Sequence, residues 1–169
     1  MLPEIGHFAL VLALLLAVLQ AFFGIAGPAL ARERWLAAVK PAALVQFLMV
    51  GVSLGCLIAS FVGLDFSVQY VAENANSALP MGYRIAATWG AHEGSLLLWT
   101  FILGCWTVAV TFASRQLPAA FTARVLGVLG IISIGFLLFM LATSNPFVRR
   151  GPAAPDGRDL NPLLQDPAL

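Results

Sequence analysis

Charged side chains are scarce. Asp, Glu, Lys and Arg make up 10% of the 169 residues, where an ordinary soluble domain carries about a quarter. Nine basic and eight acidic residues leave a net charge of +1, which excludes a basic nucleic-acid surface and an acidic disordered tail. Cysteine is equally sparse. Cys56 and Cys105 lie inside apolar runs and form no CxxC or CxxCH pattern, so a disulfide framework, a zinc knuckle and a covalently attached c-type haem are all unsupported. Histidine is limited to His7 and His92, and a bis-histidine haem site would need both. No Ser–His–Asp set, glycine-rich phosphate loop, HExxH or cluster of metal ligands can be traced.

What the chain has instead is hydrocarbon. Sixty per cent of it is apolar, with a mean hydropathy of +0.92, more than a fold of this size can hide from water. Four runs have the roughly twenty-residue length that a bilayer demands. They occupy 1–30 (apolar from Phe8 to Leu30), 42–64, 94–113 and 125–143, and none of the apolar stretches contains a charge. The expected fold is therefore all-α, a multi-pass transmembrane bundle of four spans with long external loops. Pro28 and Pro41 are expected to bracket the first loop, Pro118 to mark the third and Pro146 to follow the fourth span, placing helix breakers at helix ends. The first run is read as a retained helix and not a secretory signal. Glu4 stands where a basic n-region belongs, and the run exceeds the roughly 7–15 residues of a signal core.

Basic residues set the expected orientation. The loops 31–41 and 114–124 hold Arg32, Arg34, Lys40, Arg115 and Arg124, which places them in the cytoplasm. The other side holds Glu4, Asp65, Glu73, Glu93, Asp156, Asp159 and Asp166 with a thinner spread of arginines, which places both termini outside. Ala9, Ala13, Ala17 and Ala21, and likewise Gly51, Gly55, Ala59 and Gly63, repeat every four residues. Such stripes let helix backbones approach, so the two are expected to face each other or a third helix. A small transporter is disfavoured because no span holds an intramembrane charge.

The long segment 65–93 reads as more than a connection. Phe66, Val68 and Tyr70 alternate with Ser67 and Gln69 as an extended stretch would, and Asn74, Asn76, Ser77 and Pro80 read as turns. On a helix, His92, Leu96, Trp99, Leu103 and Trp106 share one face. That face is either an interfacial His with ordinary membrane tryptophans, or an aromatic wall with an ionisable entrance suited to a flat apolar cofactor such as haem. Trp89, His92, Glu93 and Trp99 are the candidate haem-proximal residues, and Glu93 serves either to orient His92 or to cap the helix start. From Ser144 onward the last 26 residues hold five of the ten prolines, with Arg149, Arg150 and Arg158. This is an irregular external segment whose arginines are either solvated or paired with the carboxylates of a ligand or with lipid phosphates.

Beyond composition, the residues GHFAL (6–10), DFSVQYVAENANSALP (65–80), WGAHEGSLLLW (89–99), TSNPF (143–147) and DGRDLNPLLQDPAL (156–169) resemble, in order, the N-terminal part of the CcmF family. These are the membrane haem lyase subunits of bacterial cytochrome c maturation, to which the NrfE and CcsA proteins are similar. The resemblance implies a multi-pass protein of the bacterial inner membrane that assists covalent attachment of haem to apocytochrome c on the periplasmic side. It implies haem delivered by CcmE, apocytochrome presented with CcmH and CcmI, and addition of the two CxxCH thiols to the haem vinyl groups. A non-haem-binding scaffold that docks partner subunits is the alternative. The family also carries an internal b-type haem, but its ligand histidines and its tryptophan-rich WWD segment have no counterpart in this chain. No catalytic residue is assigned, and no haem is expected to be stably held by this chain alone. A fragment, a truncated reading frame or one piece of a split protein would each account for this.

Overall fold

The computed structural model describes residues 1–152 and 155–158. The remainder of the last resemblance, 159–169 with Asp159, Pro162, Asp166 and Pro167, lies outside the described residues, as do 153–154. Four long helices are apolar enough to cross a membrane: α1 (Leu2–Ala29), α2 (Glu33–Val62), α5 (His92–Ala113) and α6 (Ala119–Thr143). Two short helices, α3 (Gln69–Asn74) and α4 (Met81–Ala87), lie between α2 and α5. There is no strand among the described residues, only an isolated antiparallel bridge between Val68 and Arg149.

The bundle is inside out relative to a soluble protein. On α1 the buried residues run Gly6, Leu10, Ala13, Ala17, Gln20, Gly24, Gly27, and on α2 Val39, Ala43, Gln46, Val50, Ser53, Leu57, Ser60. On α5 they run Leu97, Thr100, Gly104, Thr107, Thr111, and on α6 Thr122, Leu126, Gly130, Ser133, Leu137, Met140. The alternation of three- and four-residue steps is the repeat of helices that cross at a shallow left-handed angle. Small and hydroxylated side chains face inward, while Phe8, Leu15, Phe22, Leu48, Ile131 and Leu138 face out. Helix α1 packs chiefly on α2 and α6, whereas α5 is held mainly by α2.

The first alanine stripe packs as expected, with Ala9, Ala13, Ala17 and Ala21 all buried. Its partner is α6. A Cβ on Gly24 would lie 2.5 Å from the Ala123 carbonyl oxygen, and one on Gly130 would lie 3.0 Å from the Ala21 nitrogen. The second stripe does not pack in this way. Gly55 is exposed with open space where its Cβ would be, because the buried face of α2 is turned toward Val50, Ser53 and Leu57.

The connections are shorter than the loop boundaries drawn from prolines. Pro28 and Pro41 lie inside α1 and α2, so Lys40 is helical and only residues 30–32 join the two helices. The reason is packing. Trp35 folds back onto Phe22 and Phe23, with ring centroids 5.3 and 5.6 Å away, and Val39 is fully buried, so helix pays its way one turn ahead of the proline. Both α1 and α2 end with a residue in the left-handed region, Ala31 (φ 50) and Leu64 (φ 51). Arg32 N–H and Asp65 N–H then return to the carbonyls of Gly27 and Ser60 at 3.0 Å each, a Schellman-type closure usually built on glycine. At the other connection a 3₁₀ turn (Ser114–Gln116) leads to Pro118 and α6, and Arg124 is helical.

Candidate functional site

The segment 65–93 is not an extended strip along the membrane. A turn at 65–68 leads directly into α3, so Tyr70 is helical and buried (3% exposed). Its ring meets Phe61 edge-on at 5.2 Å. Its hydroxyl donates to the Thr88 carbonyl at 3.1 Å and accepts the Ala91 N–H at 3.3 Å. Burial, reinforced by the negative charge of Glu93, pushes the phenol up to about 12. Gly94 is required beside it, since a Cβ there would fall 1.6 Å from the Thr88 oxygen and 2.7 Å from the Tyr70 hydroxyl. The glycine of WGAHEG thus lets the start of α5 press against the end of α4.

The irregular C-terminal segment closes over this layer. The Gln69 N–H donates to the Val148 carbonyl and the Arg150 N–H to the Ser67 carbonyl, both at 2.9 Å. The Arg149 guanidinium pairs with Glu4 and with Asp65, tying the start of α1 to the turn after α2. Arg149 is therefore a cross-link and not a solvated charge. Asp156 accepts from the Ser77 N–H at 3.0 Å and the Ser77 hydroxyl at 2.7 Å; these bonds, with the Gly157 N–H, hold its carboxyl below its ordinary range. Arg158 N–H reaches the Ala72 carbonyl at 2.8 Å. Segments that are about eighty residues apart in sequence are thereby joined into one cap on the bundle.

Both histidines meet the turn after α6. His92 Nδ1 shares a hydrogen bond of 3.0 Å with Ser144 Oγ, and Asn145 Nδ2 donates to His7 Nδ1 at 3.1 Å. Asn145 Oδ1 accepts the Phe147 N–H at 3.0 Å, so the amide offers His7 its donor side. Beside these groups lies a polar cavity of about 240 Å³ lined by Gln69, Tyr70, Glu73, Glu93, Thr143, Ser144, Asn145 and Val148.

The four candidate residues are not brought to one point. Glu93 lines the cavity and His92 is one bond behind its wall. Trp89 lies on the exposed surface at 39% and its carbonyl accepts the Ser95 hydroxyl at 2.7 Å. Trp99, two turns down α5, is 60% exposed on the outer face with Trp106 at 67%. Tyr70, Ser144 and Asn145 join the site although spacing gave no signal for them; only the motifs that contain them did. Among the described residues no three His, Cys, Asp or Glu side chains could hold a metal ion. The arrangement does not fit a resident haem either. The cavity wall is mostly carboxylate, hydroxyl and amide where a porphyrin needs an apolar slot.

Fold and site together define a class, a four-span helical membrane protein whose extramembrane segments at one end form one hydrogen-bonded cap. Residues 89–169 match the family model described as Cytochrome C assembly protein. The chain is 55% identical over 170 residues to the cytochrome c-type biogenesis protein CcmF of Pseudomonas aeruginosa and 50% identical to that of Escherichia coli, covering all of this chain and 26% of each of them. It is 44% identical over 174 residues to the cytochrome c-type biogenesis protein NrfE of Haemophilus influenzae, 27% of that protein. A solved structure titled Cytochrome c Heme Lyase CcmF superposes with a TM-score of 0.82 at 25% identity, covering 87% of this chain and 25% of that one. The chain is thus homologous, along its whole length, to the N-terminal part of CcmF-type cytochrome c biogenesis proteins, and spans about a quarter of the length of these curated relatives.

Proposed function

We propose that this chain acts as the N-terminal, cap-bearing part of a cytochrome c maturation haem lyase in the bacterial inner membrane. In this reading the cap faces the periplasm, where it helps place haem delivered by CcmE beside an apocytochrome c CxxCH segment handled with CcmH and CcmI. One observation carries the reading. The segments that resemble the family, GHFAL, DFSVQYVAENANSALP, WGAHEG, TSNPF and the described DGR of the last, meet in a single hydrogen-bonded layer at one end of the bundle. Trp89, His92, Glu93 and Trp99 are the residues proposed to lie nearest the passing haem, with Glu93 lining the cavity, His92 one hydrogen bond behind its wall and the tryptophans exposed. The chain itself holds no stable haem in this scheme.

A docking role without haem contact is the second reading, and the commitment of His7 to Asn145 favours it. Affinity purification of the tagged chain from a strain with the maturation system separates the two from a chain without this role. Both predict that CcmE, CcmH or CcmI accompanies it. Only the first predicts that haem-loaded CcmE is held more tightly than apo-CcmE, and that His92→Ala removes the difference. Recovery of none of these partners would defeat the proposal. Orientation is tested separately. Alkaline phosphatase fused after Ala75 should be active and a fusion after Gln116 inactive, and the reverse pattern would put the cap in the cytoplasm.

A further inference from the structure

At the end of the bundle opposite the cap, α2, the 3₁₀ turn and the first turn of α6 enclose a second cavity, of about 180 Å³. Lys40 and Arg115 line it, and among the described residues neither is in an ion pair. Ser114 and Thr122 line it too. Each is nearly inaccessible, at 5% and 2% exposed, and each hydroxyl oxygen is without a hydrogen-bond partner. Thr122 differs from the other threonines within the long helices. Thr100, Thr107, Thr111 and Thr143 all turn their hydroxyls back to the carbonyl four residues earlier, at 2.7–2.9 Å, the ordinary resting place for a helical threonine. A buried hydroxyl left unmade costs about 1–3 kcal/mol, and here two residues that carry one line a small cavity together with two cations.

The start of α6 adds to the same polarity. Ala119, the first residue of α6, lines the cavity, and no side chain caps that helix, so the free N–H groups and positive end of a 25-residue helix add to the field. Adjoining it is an apolar groove of about 250 Å³, which shares Ser114, Leu117 and Thr122 with the cavity and continues along Val110, Phe121 and Val125. A tetrahedral phosphate accepts several hydrogen bonds at once and matches a cavity whose charged groups are both cations. A groove of hydrocarbon beside it matches an acyl chain.

We propose that this end of the bundle is a binding site for an anionic phospholipid, its phosphate held by Lys40, Arg115, Ser114 and Thr122 and an acyl chain laid along Val110, Phe121 and Val125. Free phosphate shares the headgroup chemistry but has no use for the groove. The inference is independent of the haem-lyase reading, because it concerns the other face of the membrane.

Native mass spectrometry of the detergent-purified chain, titrated with phosphatidylglycerol, phosphatidylcholine or inorganic phosphate, provides the test. One phosphatidylglycerol should remain bound, and the Lys40→Gln/Arg115→Gln pair should weaken it about tenfold or more. The same neutralisation at Arg34 and Arg124, on the same end but away from the cavity, should change affinity less than about twofold. Equal loss from both pairs would reduce the effect to diffuse surface charge and overturn the site. Displacement of the lipid by millimolar inorganic phosphate would overturn the lipid as occupant. Should the charge variant fail to insert, Thr122→Val keeps volume and charge and decides alone. It should still weaken phosphatidylglycerol about fivefold, and unchanged binding would refute the assignment.

Discussion

In the bundle each backbone is satisfied within its own helix, and what the sequence must still specify is how closely the helices approach. Gly24 lies against the backbone of Gly127, and Gly130 against Ala17 and Ala21. In the cap the short helices cannot satisfy themselves, and the bonds run between distant segments: Ser67 to Arg150, Gln69 to Val148, Ser77 to Asp156 and Ala72 to Arg158. Glycine serves both regions, but differently. In the bundle it sets a distance between two continuous helices, whereas at Gly94 and Gly157 it admits a carbonyl oxygen that would otherwise be 1.6 and 1.8 Å from a Cβ. The bundle is therefore expected to tolerate error by sliding, and the cap to fail as a unit.

The largest effect should come from Gly94→Val. Its branched side chain must displace the Thr88 carbonyl and with it Tyr70, at a cost of about 3 kcal/mol or more, read as early protease cleavage in 65–93 while the helical signal of the bundle persists. Loss of the bundle together with the cap would show that the two are not separable. Next is a matched pair in the bundle. Gly24→Ala should cost about 2 kcal/mol in detergent-resistance or unfolding assays, because the Ala123 carbonyl and Gly127 are already in contact. Gly55→Ala, with open space around it, should cost nothing measurable.

Smaller is Tyr70→Phe, which gives up the bond to Thr88 and leaves the Ala91 N–H unpaired, about 1–2 kcal/mol. A pH signature accompanies it. Because the folded phenol is raised from 10.0 to about 12, its contribution is whole below pH 10 and lost as pH climbs toward 12. The phenylalanine variant should lack this alkaline loss. The smallest change belongs to Asp156, whose folded carboxyl is held below 3.8. Its contribution is present above that value and lost as the pH falls through the lowered one, so Asp156→Asn should abolish a cap-opening step in acid, read by proteolysis at low pH.

The spans were legible because hydropathy reports directly what lipid demands. Their neighbours were legible only in part. The alanine stripe of α1 packs, but on α6, whose Gly127 and Gly130 stand three residues apart and break the four-residue pattern sought. Helix α2 starts before Pro41 because Trp35 and Val39 have tertiary partners, which outweigh a local breaker. In the cap, alternation over five residues points Tyr70 to an extended stretch, because it cannot distinguish a strand from the entry to a short helix. His92 and Glu93 were found from their type. Ser144 and Asn145 were not, because a serine and an asparagine before a proline read as a turn, and only their partners across fifty-two and 138 residues give them a role.

The long sequence separation within the cap has a bearing on the order in which the molecule can be made. Arg149 secures Glu4 near the first residue of the chain, and the strap at 148–150 secures the turn at 65–69. None of these links can form until the ribosome has produced the fourth helix and its far end has crossed the bilayer. The segment that carries α3 and α4 must therefore wait, exposed, through the insertion of two further helices. Closure of the cap is then a late event that reports insertion of all four helices, and an incompletely threaded chain would carry an open, protease-accessible 65–91 segment as its mark.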